Sequence, residues 1–219
     1  SILKQNPPAP LRTEVSDLAG RIPPASKAAA RKVNSMTIIV HGTWAQSQSW
    51  WQKGSSFWTY IKHPVQDVYA GSSPFRWSGD NQHTARVRAA RELVDWVQNH
   101  PSQSLRVIAH SHGGNVAMHA SRLGLKMQSL ILLGTPTRLE YIPDLREIDV
   151  LHHVFSLADT VQLAGSISNR RGGDARTLAD SATLINHRAT DDGNGREPGH
   201  SDLHEPATWS ANNFDRLLA

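Results

Sequence analysis

The 219-residue sequence contains no cysteine. This excludes a disulfide scaffold, a thiol nucleophile and a thiolate metal site, and it suits oxidising and reducing surroundings alike. No apolar run approaches the ~20 residues that a membrane-spanning helix needs. Charge of one sign is scarce as well: 23 Lys and Arg against 19 Asp and Glu leave +4. That surplus is too small and too scattered for a nucleic-acid footprint, so no nucleic-acid partner is expected. Its densest stretch, around Arg170 and Arg171, reads as a solvated loop. Phenylalanine and tyrosine are few, at 4 and 3, whereas tryptophan and histidine are over-used, at 7 and 12. The apolar set is 38% of the chain, a globular composition.

Residues 1–35 hold five prolines and no sustained apolar period. They are expected to form an extended arm with a short helix near 25–32, ahead of a domain over residues 36–219. No charged-then-apolar leader pattern appears and the first residue is not Met, which points to a module cut from something longer. The compartment stays open between the cytoplasm and delivery by a route without a leader.

From residue 36 apolar runs alternate with helical stretches. Strands are expected at 36–40, 105–109, 127–133 and 150–157, with weaker ones at 65–70 and 182–187. Unalternated runs of this kind suit strands buried on both faces of a parallel sheet. Val87, Ala90, Val94 and Val97 mark a helix over 81–99, and Val116, Ala117, Ala120 and Leu123 mark another. Pro206 suits the start of a last helix carrying Trp209, Phe214, Leu217 and Leu218. The alternation predicts an α/β fold with a doubly wound, mostly parallel sheet.

Two short stretches carry chemistry. In residues 105–115 an apolar strand runs into His110-Ser111-His112-Gly113-Gly114, and an amphipathic helix follows. A serine on so sharp a strand-to-helix turn projects its oxygen from the sheet edge, over the start of the helix. Residues two positions to either side must be small to clear the turn, and Ala109 and Gly113 hold those places. Ser111 is therefore the candidate nucleophile; a plain serine in a Gly-rich loop is the other reading. The second stretch is His41-Gly42-Thr43-Trp44, after the first apolar run. Gly42 permits a tight bend that turns the next N–H groups inward, where they can hold a developing oxyanion. A simple turn after a strand is the competing account.

Together these stretches resemble the α/β-hydrolases of the lipase and esterase type. His41-Gly42 is similar to that family's oxyanion strand end, and Ala109-His110-Ser111-His112-Gly113 to its Gly-x-Ser-x-Gly elbow with Ala for the first Gly. Leu133-Gly134-Thr135-Pro136, after the next strand, also resembles lipases. The resemblance spans roughly residues 36–218. It implies a small α/β-hydrolase fold and the chain order Ser, acid, His. It implies hydrolysis of carboxylic esters through an acyl-enzyme, lipid or phospholipid acyl esters foremost, with no cofactor and no metal. Thioesterase or amidase chemistry would use the same parts, and a non-catalytic interaction module of the same fold is the alternative from another class. The compact domain behind a Pro-rich arm is also similar to bacterial type VI lipase effectors, which would make a delivery or carrier protein a partner.

In that order the acid falls on Asp159, where the apolar strand at 150–157 ends. The competing role is a helix N-cap at that point. Asp144 comes too early, and Asp174, Asp180, Asp191 and Asp192 lie in Gly-rich or polar segments. The base falls on His200, in Gly199-His200-Ser201-Asp202-Leu203, with His204 and His187 as alternatives. The backbone N–H groups of Thr43 and His112 are the expected oxyanion donors, with Trp44 as the alternate. Trp44, Trp50 and Trp51 are expected to border the cleft as substrate-binding residues, an aromatic rim suited to an acyl chain or to transient contact with a lipid surface. His110 and His112 read as packed or solvent-facing side chains. Residues 191–199, with three glycines and no apolar anchor, are expected to be held only by their ends and by polar contacts.

Overall fold

The structure, a computed structural model, describes residues 35–167 and 175–219. Residues 1–34 of the expected arm, and Arg170 and Arg171, lie outside the described residues.

Five strands form one sheet in the order β1 (Met36–Val40), β2 (Leu105–His110), β3 (Met127–Leu133), β4 (Ile148–Phe155) and β5 (Leu184–Arg188). Every neighbouring pair is parallel. The apolar runs produce this directly. Along β3, Leu130 and Leu132 pack into one core while Ile131 and Leu133 pack into the other, all four fully buried. A strand wetted on one face would have alternated polar residues instead.

Helices cover both faces. On one side, α2 (His83–Asn99) and α3 (His112–Arg122) supply Ala85, Ala89, Leu93, Val116 and Ala120 to the core. On the other, α1 (Ser56–Lys62), α5 (Pro206–Ala211) and the 3-10 turn Phe214–Leu218 supply Phe57, Ile61, Trp209 and Phe214. The doubly wound, mostly parallel sheet read from the sequence is thus the observed architecture, and among the described residues all of its strands are parallel.

Three elements differ from the sequence reading. Residues 65–70 form no full strand: Val68 makes one parallel bridge to Thr37 at the β1 edge, and Tyr69 N–H donates to the Thr37 carbonyl at 2.8 Å. The polar residues Gln66 and Asp67 interrupt that run. The expected last helix breaks after Ala211, because Asn213 takes a left-handed φ of 54° and the chain resumes as a 3-10 turn. A helix that the sequence reading weighed only as an N-cap at Asp159, α4 (Thr160–Ile167), follows β4. Among the described residues no helix is long and apolar enough to cross a membrane.

Candidate active site

The carboxyl ends of successive strands deliver the chemistry to one edge of the sheet, where open α/β sheets place their crevices. Thr43 follows β1, Ser111 follows β2, Gly134 follows β3, Asp159 follows β4, and His200 lies beyond β5. Thr43, Trp44, Ser111, His112, Arg138, Val161 and His200 line one cleft of about 840 Å³.

Ser111 stands between β2 and α3 with φ 55° and ψ −135°, a conformation that costs a non-glycine residue ~1–3 kcal/mol. Its amide donates to the Leu133 carbonyl at 2.8 Å, which pins the turn to β3. Glycines on both sides make room. A Cβ on Gly42 would lie 2.8 Å from Ser111 Cβ, and one on Gly113 would lie 2.4 Å from the His41 carbonyl oxygen. Any side chain at either position would push β1 and the turn apart.

His200 Nδ1 lies 2.7 Å from Asp159 Oδ2. Asp159 is fully buried, and its other oxygen accepts the Gln162 N–H at 2.7 Å, capping α4. Of the two roles the sequence set against each other for Asp159, the N-cap contact is made by one oxygen, while the other faces His200. Gly134 makes space for the pair: its φ is 56°, and a Cβ there would lie 2.7 Å from Asp159 Oδ2 and 3.1 Å from His200 Nδ1.

The competing residues have other partners. His187 pairs with His152 at 3.0 Å between β5 and β4. His204 lines the same cleft, but its ring stacks on Trp50, centroids 3.9 Å apart. Asp144 pairs with Arg146, Asp180 accepts from Asn186, and Asp191 and Asp192 hold their own loop. Asp174 lies outside the described residues. Among the described residues no three His, Asp or Glu side chains gather as a metal-binding group.

His110, beside Ser111, ties two parts of the edge together. Its Nε2–H donates to the His200 carbonyl at 3.0 Å, and its ring packs against His200, His204 and Trp50. Burial, then the nearby His200 and His204, hold its pKa well below the histidine range, so it remains a neutral donor. Sequence reasoning allowed a satisfied core histidine here but could not name its partner, which lies 90 residues away.

The oxyanion side needs one correction. The Trp44 N–H donates to the Gly79 carbonyl at 2.9 Å, so it does not serve as the alternate donor. Among the described residues the Thr43 and His112 N–H groups have no such partner, and His112 N–H is one of the first amides of α3, which the helix itself leaves open. The tryptophans need another. Trp44 lines the cleft and is 71% exposed, with φ 56°. Trp51 is instead a core residue beneath the turn, its indole N–H on the Ala45 carbonyl and its ring 4.8 Å from His41. Trp50 stands behind His204 and is not part of the cleft wall. The segment curls after Ala45, which carries both rings inward.

Residues 191–199 are folded onto their own carboxylates. Asp191 Oδ1 accepts the Gly193 and Gly195 N–H groups, Asp192 Oδ1 accepts that of Asn194, and Glu197 pairs with Arg188 at 3.1 Å. Polar contacts hold most of the segment that leads to His200, and the buried Pro198 anchors its far end.

The buried histidines set a pH limit on the fold. Burial lowers His41, His112, His153 and His204 to about 4. The unfolded chain takes up these protons below ~6.5, whereas the fold keeps the rings neutral until about 4, so stability present at neutral pH is lost as pH falls through that window. At pH 5 the loss for each of the two fully buried rings, His41 and His153, is about 2 kcal/mol. Thermal denaturation at pH 5 and pH 7.5 is expected to show Tm lower at pH 5 by ~10 °C or more. An unchanged Tm would show that these rings are not held neutral.

No protein-family model matches the sequence, nor does any curated protein at a significant level. Solved structures do match. DphMB1 is 15% identical, with 88% of this chain aligned to 78% of that one and a TM-score of 0.52. A carboxylesterase from Mesorhizobium loti is 13% identical, with 83% of this chain aligned to 88% of that one and a TM-score of 0.45. An extracellular α/β-hydrolase from a Paenibacillus species is 17% identical over 48% of this chain, TM-score 0.34, and the match spans only 42% of that protein's length. The parallel sheet, the helices on both its faces and the strained strand-to-helix turn are those of a small α/β-hydrolase fold.

Proposed function

We propose that the chain is a serine hydrolase of carboxylic esters. The observation that carries this is the Asp159–His200 pair, 2.7 Å apart, which sets His200 on the wall of the cleft that holds Ser111 in its strained turn. Asp159 receives Nδ1–H of His200, which leaves Nε2 as the unprotonated nitrogen for the serine. Ser111 Oγ attacks the ester carbonyl carbon as its proton passes to His200 Nε2. The carbonyl oxygen becomes an oxyanion facing the Thr43 and His112 N–H groups. Collapse breaks the bond to the alcohol oxygen, which leaves with the proton from His200. Water then attacks the acyl-serine, giving its proton to His200, and the carboxylic acid departs as that proton returns to Ser111.

Lipid acyl esters are the substrate class this cleft supports best. Its rim carries exposed apolar side chains, Trp44 at 71% and Val161 at 53%. An acyl chain laid along them would remove apolar surface from water, and the same rim suits transient contact with a lipid surface.

A fluorophosphonate probe tests the core of this reading. Mass spectrometry is expected to find one phosphonyl adduct, on Ser111, and p-nitrophenyl ester turnover is expected to fall in proportion to labelling. An unlabelled Ser111 in folded protein would overturn the proposal.

A further inference from the structure

The mechanism uses only the backbone of His112, yet the side chain is placed with equal care. His112 is 7% exposed and lines the cleft next to Ser111. Its Nδ1 lies 2.6 Å from Asn115 Oδ1. Asn115 is fully buried, and its amide nitrogen donates to the Pro136 carbonyl at 3.0 Å. That second bond fixes which way the amide points, because the reverse would set two oxygens against each other. Asn115 therefore presents an acceptor to His112, and His112 Nδ1 carries the proton. Burial, with the Arg86 and Arg138 guanidinium groups nearby, keeps the ring neutral, its pKa lowered to about 4.

A neutral imidazole protonated on Nδ1 has a lone pair on Nε2. Among the described residues no donor meets that atom. Across the cleft wall stands Gly165 of α4, where even an added Cβ would remain 4.0 Å from Nε2. The site thus offers a fixed acceptor within the wall beside the nucleophile. Arg138 lines the same wall, its Nε paired with Glu140 at 2.9 Å and its Nη1 donating to the Gly165 carbonyl at 3.4 Å. A hydroxyl on a substrate in the cleft can donate to Nε2. An ammonium would meet the two arginines at a cost, and an ether has nothing to donate.

We infer that His112 is a specificity-determining residue whose Nε2 accepts a hydrogen bond from a hydroxyl group on the substrate, close to the scissile ester. This rests on the serine-hydrolase reading and adds the substrate class: hydroxylated esters, with the hydroxyl on either the acyl chain or the alcohol.

Matched esters test it with the 219-residue chain. In the acyl arm, p-nitrophenyl 3-hydroxybutyrate is compared with its 3-methoxy and unsubstituted counterparts. In the alcohol arm, glyceryl monobutyrate is compared with its dimethoxy ether and with propyl butyrate. One arm is expected to favour the hydroxyl member about fivefold or more in kcat/KM, the scale of one neutral hydrogen bond, with the ether no better than the unsubstituted ester. That arm locates the hydroxyl. His112→Phe is expected to bring the ratio close to one, and His112→Gln, which keeps an acceptor, to restore part of it. Turnover of every ester without preference in either arm would overturn the inference, as would an ether as good as the hydroxyl. A preference surviving His112→Phe would do the same. The comparison among ethers needs only the wild-type protein, so it stands even where a variant does not fold. Absence of both turnover and fluorophosphonate labelling would instead remove the serine-hydrolase reading, and this inference with it.

Discussion

Ser111→Ala is expected to lower kcat for a p-nitrophenyl ester by about 10³-fold or more while leaving the fold unchanged. The loss is large because the oxygen that forms the acyl-enzyme is gone, whereas the Thr43 and His112 N–H groups and the cleft remain to bind and polarise the substrate. Stability is expected to shift by less than ~0.5 kcal/mol, since among the described residues Ser111 Oγ makes no hydrogen bond and Ala adopts the same strained backbone. Ser111→Gly separates the two properties. Glycine takes φ 55° without strain, so this variant is expected to be equally inactive yet more stable by about 1 kcal/mol. Both properties come from one purified set of proteins, by ester hydrolysis and thermal melting. Ester turnover by Ser111→Ala within tenfold of the wild type would remove Ser111 from the chemistry.

Local signals in the chain were legible where one segment decides the outcome. The strand runs at 36–40 and 127–133 stand where they were read, because continuous apolar character admits little but a sheet buried on both faces. The serine turn was legible because its pattern is local, with Ala109 and Gly113 flanking it, although the partner that demands a small residue at 113 is the distant His41 carbonyl. Features set by distant partners were not legible. Trp44, Trp50 and Trp51 look alike in sequence. Which of them reaches the cleft is decided by the Ala45 carbonyl taking one indole and His204 stacking on another. The Trp44 amide is removed as an oxyanion donor by Gly79, 35 residues on, which no spacing rule foresees. Likewise α4 was weighed only as an N-cap at Asp159, because an eight-residue stretch is too short to show a helical period.

That double duty makes Asp159→Asn the most informative substitution of the candidate acid. Asn keeps an oxygen for the Gln162 N–H, so the α4 cap survives and stability is expected to change by less than ~1 kcal/mol. The same bond fixes the amide: with its oxygen on Gln162, its NH₂ must face His200. A donor there forces His200 Nδ1 to become an acceptor, so the ring proton moves to Nε2, the nitrogen that has to receive the serine proton. The geometry is nearly intact, but the tautomer is wrong. The expected result is a loss of about 10⁴-fold in kcat with little change in KM. Asp159→Ala should differ in kind: it loses the cap as well, about 1 kcal/mol, so its Tm should fall where that of the Asn variant does not. Steady-state kinetics at pH 7.5 with melting curves for the two variants read out both effects. An Asn variant within tenfold of wild type would show that another group orients the histidine, and a Tm loss in it equal to that of the Ala variant would show that the carboxylate, not the cap oxygen alone, holds the start of α4.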